Sequence, residues 1–170
     1  MDGNETTQVG LRAMDYKILV VDDDAGIRRL LKRLLERQKF EVGEAADGME
    51  AWAQVEEQDF NAVITDVLMP RMSGIELLEK LQQSRPLVPV IIITGKPGIE
   101  AAVECMKSGA YDYISKPFDF GQVKLTVQGA LQEHQKLVEK DRNHDNPAAR
   151  YDLTNRRLFG DYRVLHVIGE

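Results

Sequence analysis

Two patterns alternate between residues 16 and 140, and that alternation admits few folds. Short runs rich in Val and Ile suit strands buried on both faces: Ile18-Leu19-Val20-Val21, Ala62-Val63-Ile64, and Val88 to Ile93 with Pro89 inside it. Segments of helical period separate them. Ile27, Leu30, Leu31, Leu34 and Leu35 form one apolar stripe, with Arg28, Arg29, Lys32, Arg33, Glu36 and Arg37 on the wet face. Ile75, Leu78 and Leu81 form a second stripe, broadened by Leu77, and Ile99, Val103 and Met106 a third. The pattern predicts strands at 17–21, 40–45, 61–65, 88–93 and 111–114. It predicts helices at 25–38, 48–57, 74–83, 97–108 and 119–140. Strands alternating with helices in this way make an α/β fold, a parallel sheet covered on both faces and wound by right-handed crossovers.

Composition removes several classes of function. The net charge is −6, so the chain as a whole carries no basic footprint for direct nucleic-acid binding. No apolar run approaches the roughly 18 residues that a membrane span needs. The first residues lack the cationic start and apolar stretch of a secretory signal. Cys105 is the only cysteine, which excludes an internal disulfide framework and favours the cytoplasm. His134, His144 and His166 are scattered and late, which argues against a zinc site.

In open parallel sheets the active crevice lies at the carboxyl ends of the strands. The first strand leads into Asp22-Asp23-Asp24, the third into Thr65-Asp66, the fourth into Thr94-Gly95 and the fifth into Ser115-Lys116-Pro117. One rim thus receives a cluster of carboxylates, a further carboxylate, a hydroxyl and an ammonium. Carboxylates gathered within a few ångströms repel, and unaided one of them takes up a proton. A hard divalent cation with oxygen ligands removes the conflict, and Mg²⁺ suits a site with few carboxylates and several waters. A phosphoryl group arriving at Asp66 would then meet the metal on one side and Lys116 on the other, with Thr94 donating a hydrogen bond. An Asp carboxylate is an established covalent acceptor of phosphate.

The stretches KILVVDDDAGIRRLL, NAVITDVLMPRMSGIELL, VPVIIITG and GAYDYISKPF resemble the response-regulator receiver domain of two-component signalling, in order and in spacing. The resemblance covers residues 16–140. It implies a flavodoxin-like three-layer (βα)5 sandwich with strand order 2-1-3-4-5. It implies that Asp66 accepts phosphate from a histidine kinase or a phosphotransfer protein. Asp22 and Asp23 match the Mg²⁺-holding acids, Asp23 directly and Asp22 largely through water, and the Leu68 backbone carbonyl matches the third protein ligand. Thr94 and Lys116 match the phosphate-sensing hydroxyl and lysine, Tyr113 the aromatic switch, and Lys116-Pro117 a cis peptide bond. The residues two places after Asp66 and Thr94, here Leu68 and Lys96, flank the path of the hydrolytic water in this family.

Each residue also has a plainer reading. Asp24 suits the start of a helix, where its charge favours the dipole. Asp66 alone is a turn residue, Thr94 a strand terminator, Lys116 a solvated loop lysine and Tyr113 a half-buried aromatic. Gly74, Gly95 and Gly109 read as backbone-geometry positions, and Cys105 as inert core. Two rival functions exist. Asp22-Asp23-Asp24 also resembles the first motif of haloacid-dehalogenase-type phosphatases, with Asp22 as nucleophile, and a phosphate-insensitive interaction module would keep the fold alone. Aspartates after the first strand would repel a pyrophosphate where a nucleotide-binding loop needs glycines.

Outside the alternating region, residues 1–15 read as a mobile leader and 141–158 as a linker rich in Asp, Asn and Arg. Residues 159–170, FGDYRVLHVIGE, resemble the opening strand of a serine/threonine protein kinase domain, with Gly169 as its first glycine. They imply an output domain controlled by the receiver. Residues 152–159 resemble, more faintly, the entry to a diguanylate cyclase domain, and the long final helix leaves an ATPase output open. Val127, Leu131, His134 and Val138 trace a short seam that would serve a coiled-coil homodimer; the alternative is that Val127 and Leu131 pack on the sheet and the rest frays.

Overall fold

The computed structural model describes residues 15–95 and 98–142. The leader short of Asp15, the linker beyond Arg142 and the kinase-like stretch at 159–170 lie outside the described residues.

Five strands and five helices alternate: β1 Lys17–Val21, α1 Ala25–Arg37, β2 Glu41–Ala45, α2 Gly48–Glu57, β3 Ala62–Thr65, α3 Gly74–Ser84, β4 Val90–Thr94, α4 Ile99–Lys107, β5 Asp112–Ser115 and α5 Phe120–Arg142. All strand pairs are parallel, in the order β2-β1-β3-β4-β5. The flavodoxin-like three-layer sandwich is therefore observed.

The period-two alternation of the strands builds the layers. In β1, Leu19 and Val21 face one way, into a core shared with Val63, Ile92, Ala51, Val55, Leu77, Leu78, Leu81 and Cys105 under α2, α3 and α4. Ile18 and Val20 face the other way, joining Ile64, Ile91, Ile93, Leu31, Leu35, Val123, Val127 and Leu131 under α1 and α5. Along β1, β3 and β4 both faces are dry, which is why those strands read as continuous apolar runs.

Several stripes are narrower or rotated relative to expectation. In α1 only Leu31 and Leu35 are buried, and Leu30 is 40% exposed. In α3 Leu77 sits at the centre of the buried face with Leu78 and Leu81. In α4 Ile99 is 84% exposed, and the buried residue is Cys105. β4 starts at Val90 and runs through Thr94, so Thr94 belongs to the strand.

The first half of the α5 seam packs on the sheet. Val127 and Leu131 are fully buried in the core beneath α5. His134 Nδ1 donates to the Leu87 carbonyl at 2.8 Å, and its Nε2 lies 3.5 Å from Asn61 Nδ2. Tyr16 donates to the Gln135 side chain at 3.2 Å. Tyr16, Asn61 and Leu87 precede β1, β3 and β4, so the far half of α5 is fastened at the amino-terminal edge of the sheet.

Candidate functional site

Strand order reverses between β1 and β3. From β1 the chain passes first to β2 on one side, then to β3 on the other. At such a point the crossovers part, and a crevice opens at the carboxyl ends. Asp22 follows β1 and Asp66 follows β3. Their backbones are tied across the sheet, the Asp66 amide donating to the Val21 carbonyl at 2.9 Å and the Asp22 amide to the Ala45 carbonyl at 3.2 Å.

Side chains converge on this crevice. Oxygens of Asp22, Asp23 and Asp66 lie within 4.8 Å of one another. Asp22 is 2% exposed and Asp66 8%, whereas Asp23 is open to solvent. Lys116 Nζ bridges the two buried acids, 2.7 Å from Asp22 Oδ2 and 2.9 Å from Asp66 Oδ2. The Lys116 amide donates to the Thr94 carbonyl at 2.8 Å, which joins the ends of β4 and β5. Among the described residues, no buried side-chain nitrogen or oxygen lacks a hydrogen-bond partner.

Charge in the crevice is unbalanced, since three carboxylates face one ammonium. Burial pushes the Asp22 carboxyl above its usual range; Lys116 and the Asp24 amide pull it back without cancelling the rise, and the charge of Asp66 adds to it. Burial pulls the Lys116 ammonium down, but its hydrogen bonds to Asp22 and Asp66 and their charges outweigh that and raise it. Three carboxylates thus gather around one ammonium, which leaves a surplus of acidic groups. An all-oxygen donor set with surplus negative charge fits a hard divalent cation.

The other expected residues fall around this centre. Thr94, buried, ends β4 in register with Ser115, and Tyr113 is half-buried on β5 against the core beneath α2, α3 and α4. Leu68 lies in the loop after Asp66 with 62% of its surface exposed. The Lys116-Pro117 bond is cis. Asp24 takes the plainer role as the N-cap of α1, its Oδ1 accepting from the Gly26 and Ile27 amides at 2.7 and 3.2 Å. Those amides hold its carboxyl below the usual range.

The sequence reading missed three supporting contacts. Arg28 Nη1 donates to the Asp22 carbonyl at 2.6 Å. Asp47, 5% exposed, pairs with Arg71 beyond Asp66. Gly74 lies against the Asp66 carbonyl so closely that a Cβ would meet it at 1.9 Å. The first has no sequence signal. For the second, the Asp47-x-x-Glu50 spacing before a helix signals only the α2 cap, not the pairing with Arg71.

Comparison with known proteins gives the arrangement its context. Residues 18–128 match the family model described as the response regulator receiver domain. The transcriptional regulatory protein SrrA of Staphylococcus aureus is 40% identical over 132 residues, which are 77% of this chain and 54% of the relative. The transcriptional regulatory protein ZraR of Klebsiella oxytoca is 39% identical over 136 residues, 80% of this chain and 30% of the relative. The chain thus spans about half, or less, of the curated relatives it matches. A solved response regulator receiver domain protein from Clostridium thermocellum superposes with a TM-score of 0.68 at 33% identity, over 72% of this chain and 98% of that one.

Proposed function

The chain belongs to the response regulator receiver domain family of two-component signalling, and from that premise we propose that Asp66 is its phosphoacceptor. The observation that carries the assignment is the placing of Asp66 beside Asp22, Asp23 and Lys116 at the point where the strand order reverses. In the proposed reaction an Asp66 oxygen attacks the phosphorus of a phosphohistidine. The phosphorus–nitrogen bond breaks, and its electron pair stays with the imidazole. Lys116, already 2.9 Å from Asp66 Oδ2, pairs with an oxygen of the transferred group.

Asp22, Asp23, Asp66 and the Leu68 carbonyl are the proposed Mg²⁺ ligands. When bound, the ion neutralises charge that builds on the phosphoryl oxygens. Asp23, exposed, would hold the ion directly; Asp22, buried and bound to Lys116 and the Asp24 amide, would hold it largely through water. Thr94 and Tyr113 are the proposed switch. Thr94 moves toward the new oxygens and Tyr113 follows, reshaping the surface of α4, β5 and the start of α5.

The proposed donor is a histidine kinase or a phosphotransfer protein, acting in the cytoplasm. The proposed recipient of the signal is an output domain joined through the 141–158 linker. The resemblance of residues 159–170 to the start of a protein kinase supports a kinase output. The names of the two curated relatives favour a transcriptional one.

Intact mass after incubation with Mg²⁺ and acetyl phosphate tests the core assignment. A phosphoryl-sized gain is expected, absent in Asp66→Asn. A gain that survives Asp66→Asn and disappears in Asp22→Asn would instead support the phosphatase-like chemistry.

A further inference from the structure

One buried carboxylate among the described residues takes no part in the crevice. Asp47 follows β2, at the start of α2, and its two oxygens have separate duties. Oδ1 accepts from the Met49 and Glu50 amides at 2.9 and 3.0 Å, which caps α2. Oδ2 accepts from Arg71 Nε at 2.8 Å and also from Arg71 Nη2.

Arg71 lies in the 67–73 loop, which begins beside Asp66 and contains Leu68. Its backbone has φ 66°, in the left-handed region that a residue with a Cβ enters only when its surroundings hold it there. The neighbouring Met72 is gripped as well. Its carbonyl accepts from the Gly48 amide at 3.2 Å, and a Cβ on Gly48 would come within 2.7 Å of that oxygen. The α2 terminus therefore docks directly on the loop. The loop's other end is closed by the Gly74 amide, which donates to the Val67 carbonyl at 2.9 Å.

We propose that Asp47 and Arg71 are positioning residues for phosphoryl acceptance: their ion pair fixes the 67–73 loop, and through it the Leu68 carbonyl and the Asp66 carboxylate. The inference rests on the Asp66 reading above. The physical argument is preorganisation. A ligand carbonyl on a loop is useful only if the loop has one conformation, and small misplacements of reacting groups cost rate steeply. The side chain of Asp47 bonds to the Met49 and Glu50 amides and to Arg71, so it reaches the loop through Arg71.

Three variants of the full chain separate this role from plain stability. Arg71→Gln removes the charge from a side chain that is 63% exposed, so the fold survives it. Asp47→Asn keeps an oxygen for the α2 cap but turns an NH₂ toward Arg71. The third variant carries both changes. The readouts are Mg²⁺ affinity from the amide shifts of Val67 and Leu68, the rate of phosphorylation by acetyl phosphate, and the unfolding midpoint.

Each single change is expected to weaken Mg²⁺ binding and slow phosphorylation by roughly 10-fold, the low end for groups that orient metal ligands. The double variant is expected to be no worse than either single one, and Arg71→Lys should recover part of the loss. Wild-type affinity and rate in Arg71→Gln, with only the midpoint lowered, would overturn the proposal. So would losses that simply add in the double variant. A wild-type chain that gains no phosphoryl group overturns the acceptor reading instead, and the Mg²⁺ titration, which needs no transfer, still decides the positioning role.

Discussion

A Cβ on Gly74 would stand 1.9 Å from the carbonyl oxygen of Asp66 and 2.8 Å from its carbonyl carbon. Both are backbone atoms of the residue that ends the crossing from β3, so no flexible side chain can give way. Gly74→Ala is expected to destabilise the fold by at least the upper part of the about 1–3 kcal/mol typical of overpacking. It should also slow phosphorylation, because the displaced atoms belong to the proposed acceptor residue. Chemical denaturation and intact mass check the two effects. A stable Gly74→Ala chain phosphorylated at the normal rate would show that the backbone at Asp66 tolerates displacement.

How much of this was legible in the sequence depends on the range of the interaction. The strand runs, the helical stripes and the four loaded strand ends are local, so period and residue type reveal them. The cis Lys116-Pro117 bond and the sheet order came from resemblance, since pairing across a sheet has no local signature. The Gly74–Asp66 approach was beyond reach for the same reason: Gly74 read as a geometry position, but its neighbour did not. Arg71 illustrates the other failure. A lone arginine in a loop looks like a solvated charge until a buried partner from another element is placed beside it. α4 misled at Ile99, which belongs to the apolar stripe yet is 84% exposed, whereas Cys105 is core as its residue type suggests.

Lys116 neutralises part of a buried negative charge, so its loss should be felt before any phosphate arrives. Lys116→Met is expected to cost the low end of the about 3–5 kcal/mol seen when one partner of a buried pair is removed, since the lysine side chain is 19% exposed. The same change removes a cation that repels Mg²⁺, so the metal should bind the variant more tightly and restore much of its stability. Denaturation with and without Mg²⁺ measures both effects. An equal loss of stability in the two conditions would separate Lys116 from the metal site.

Asp47 makes stability depend on acid pH. Burial pushes its carboxyl up, but the Glu50 amide, Arg71 and the Met49 amide outweigh that and hold it below the usual carboxylate range. A carboxyl depressed in the fold contributes stability that is full above its unfolded value, about 4, and is lost as pH falls through the folded value. The deficit of Asp47→Asn relative to wild type is therefore expected to be full at neutral pH and to shrink in acid. Parallel denaturation curves across that range test it; a deficit that stays constant into strong acid contradicts the assigned direction.

Leu68 is expected to prolong the phosphorylated state. Its apolar side chain, exposed in the loop after Asp66, has no group that could orient a water. Lys96, two places after Thr94, offers no acceptor for that purpose either. Leu68→Asn combined with Lys96→Glu should shorten the half-life of the aspartyl phosphate, followed by mass after removal of the donor. An unchanged or longer half-life removes the basis for this assignment.

The fastening of α5 has a further consequence for traffic around the domain. Asp66 sits past the carboxyl ends of the strands, whereas His134 and Gln135 are held beside Leu87 and Tyr16, before the strands begin. At about 3.3 Å per residue, a strand of five residues separates those two poles by roughly 15 Å. α5 starts near the first pole and delivers the chain to the second. On the proposed reading of Asp66, a bulky donor would occupy the pole that carries it, while α5 runs toward the opposite one before it ends at Arg142. On that reading, the donor and the chain's continuation need not compete for one end of the sheet.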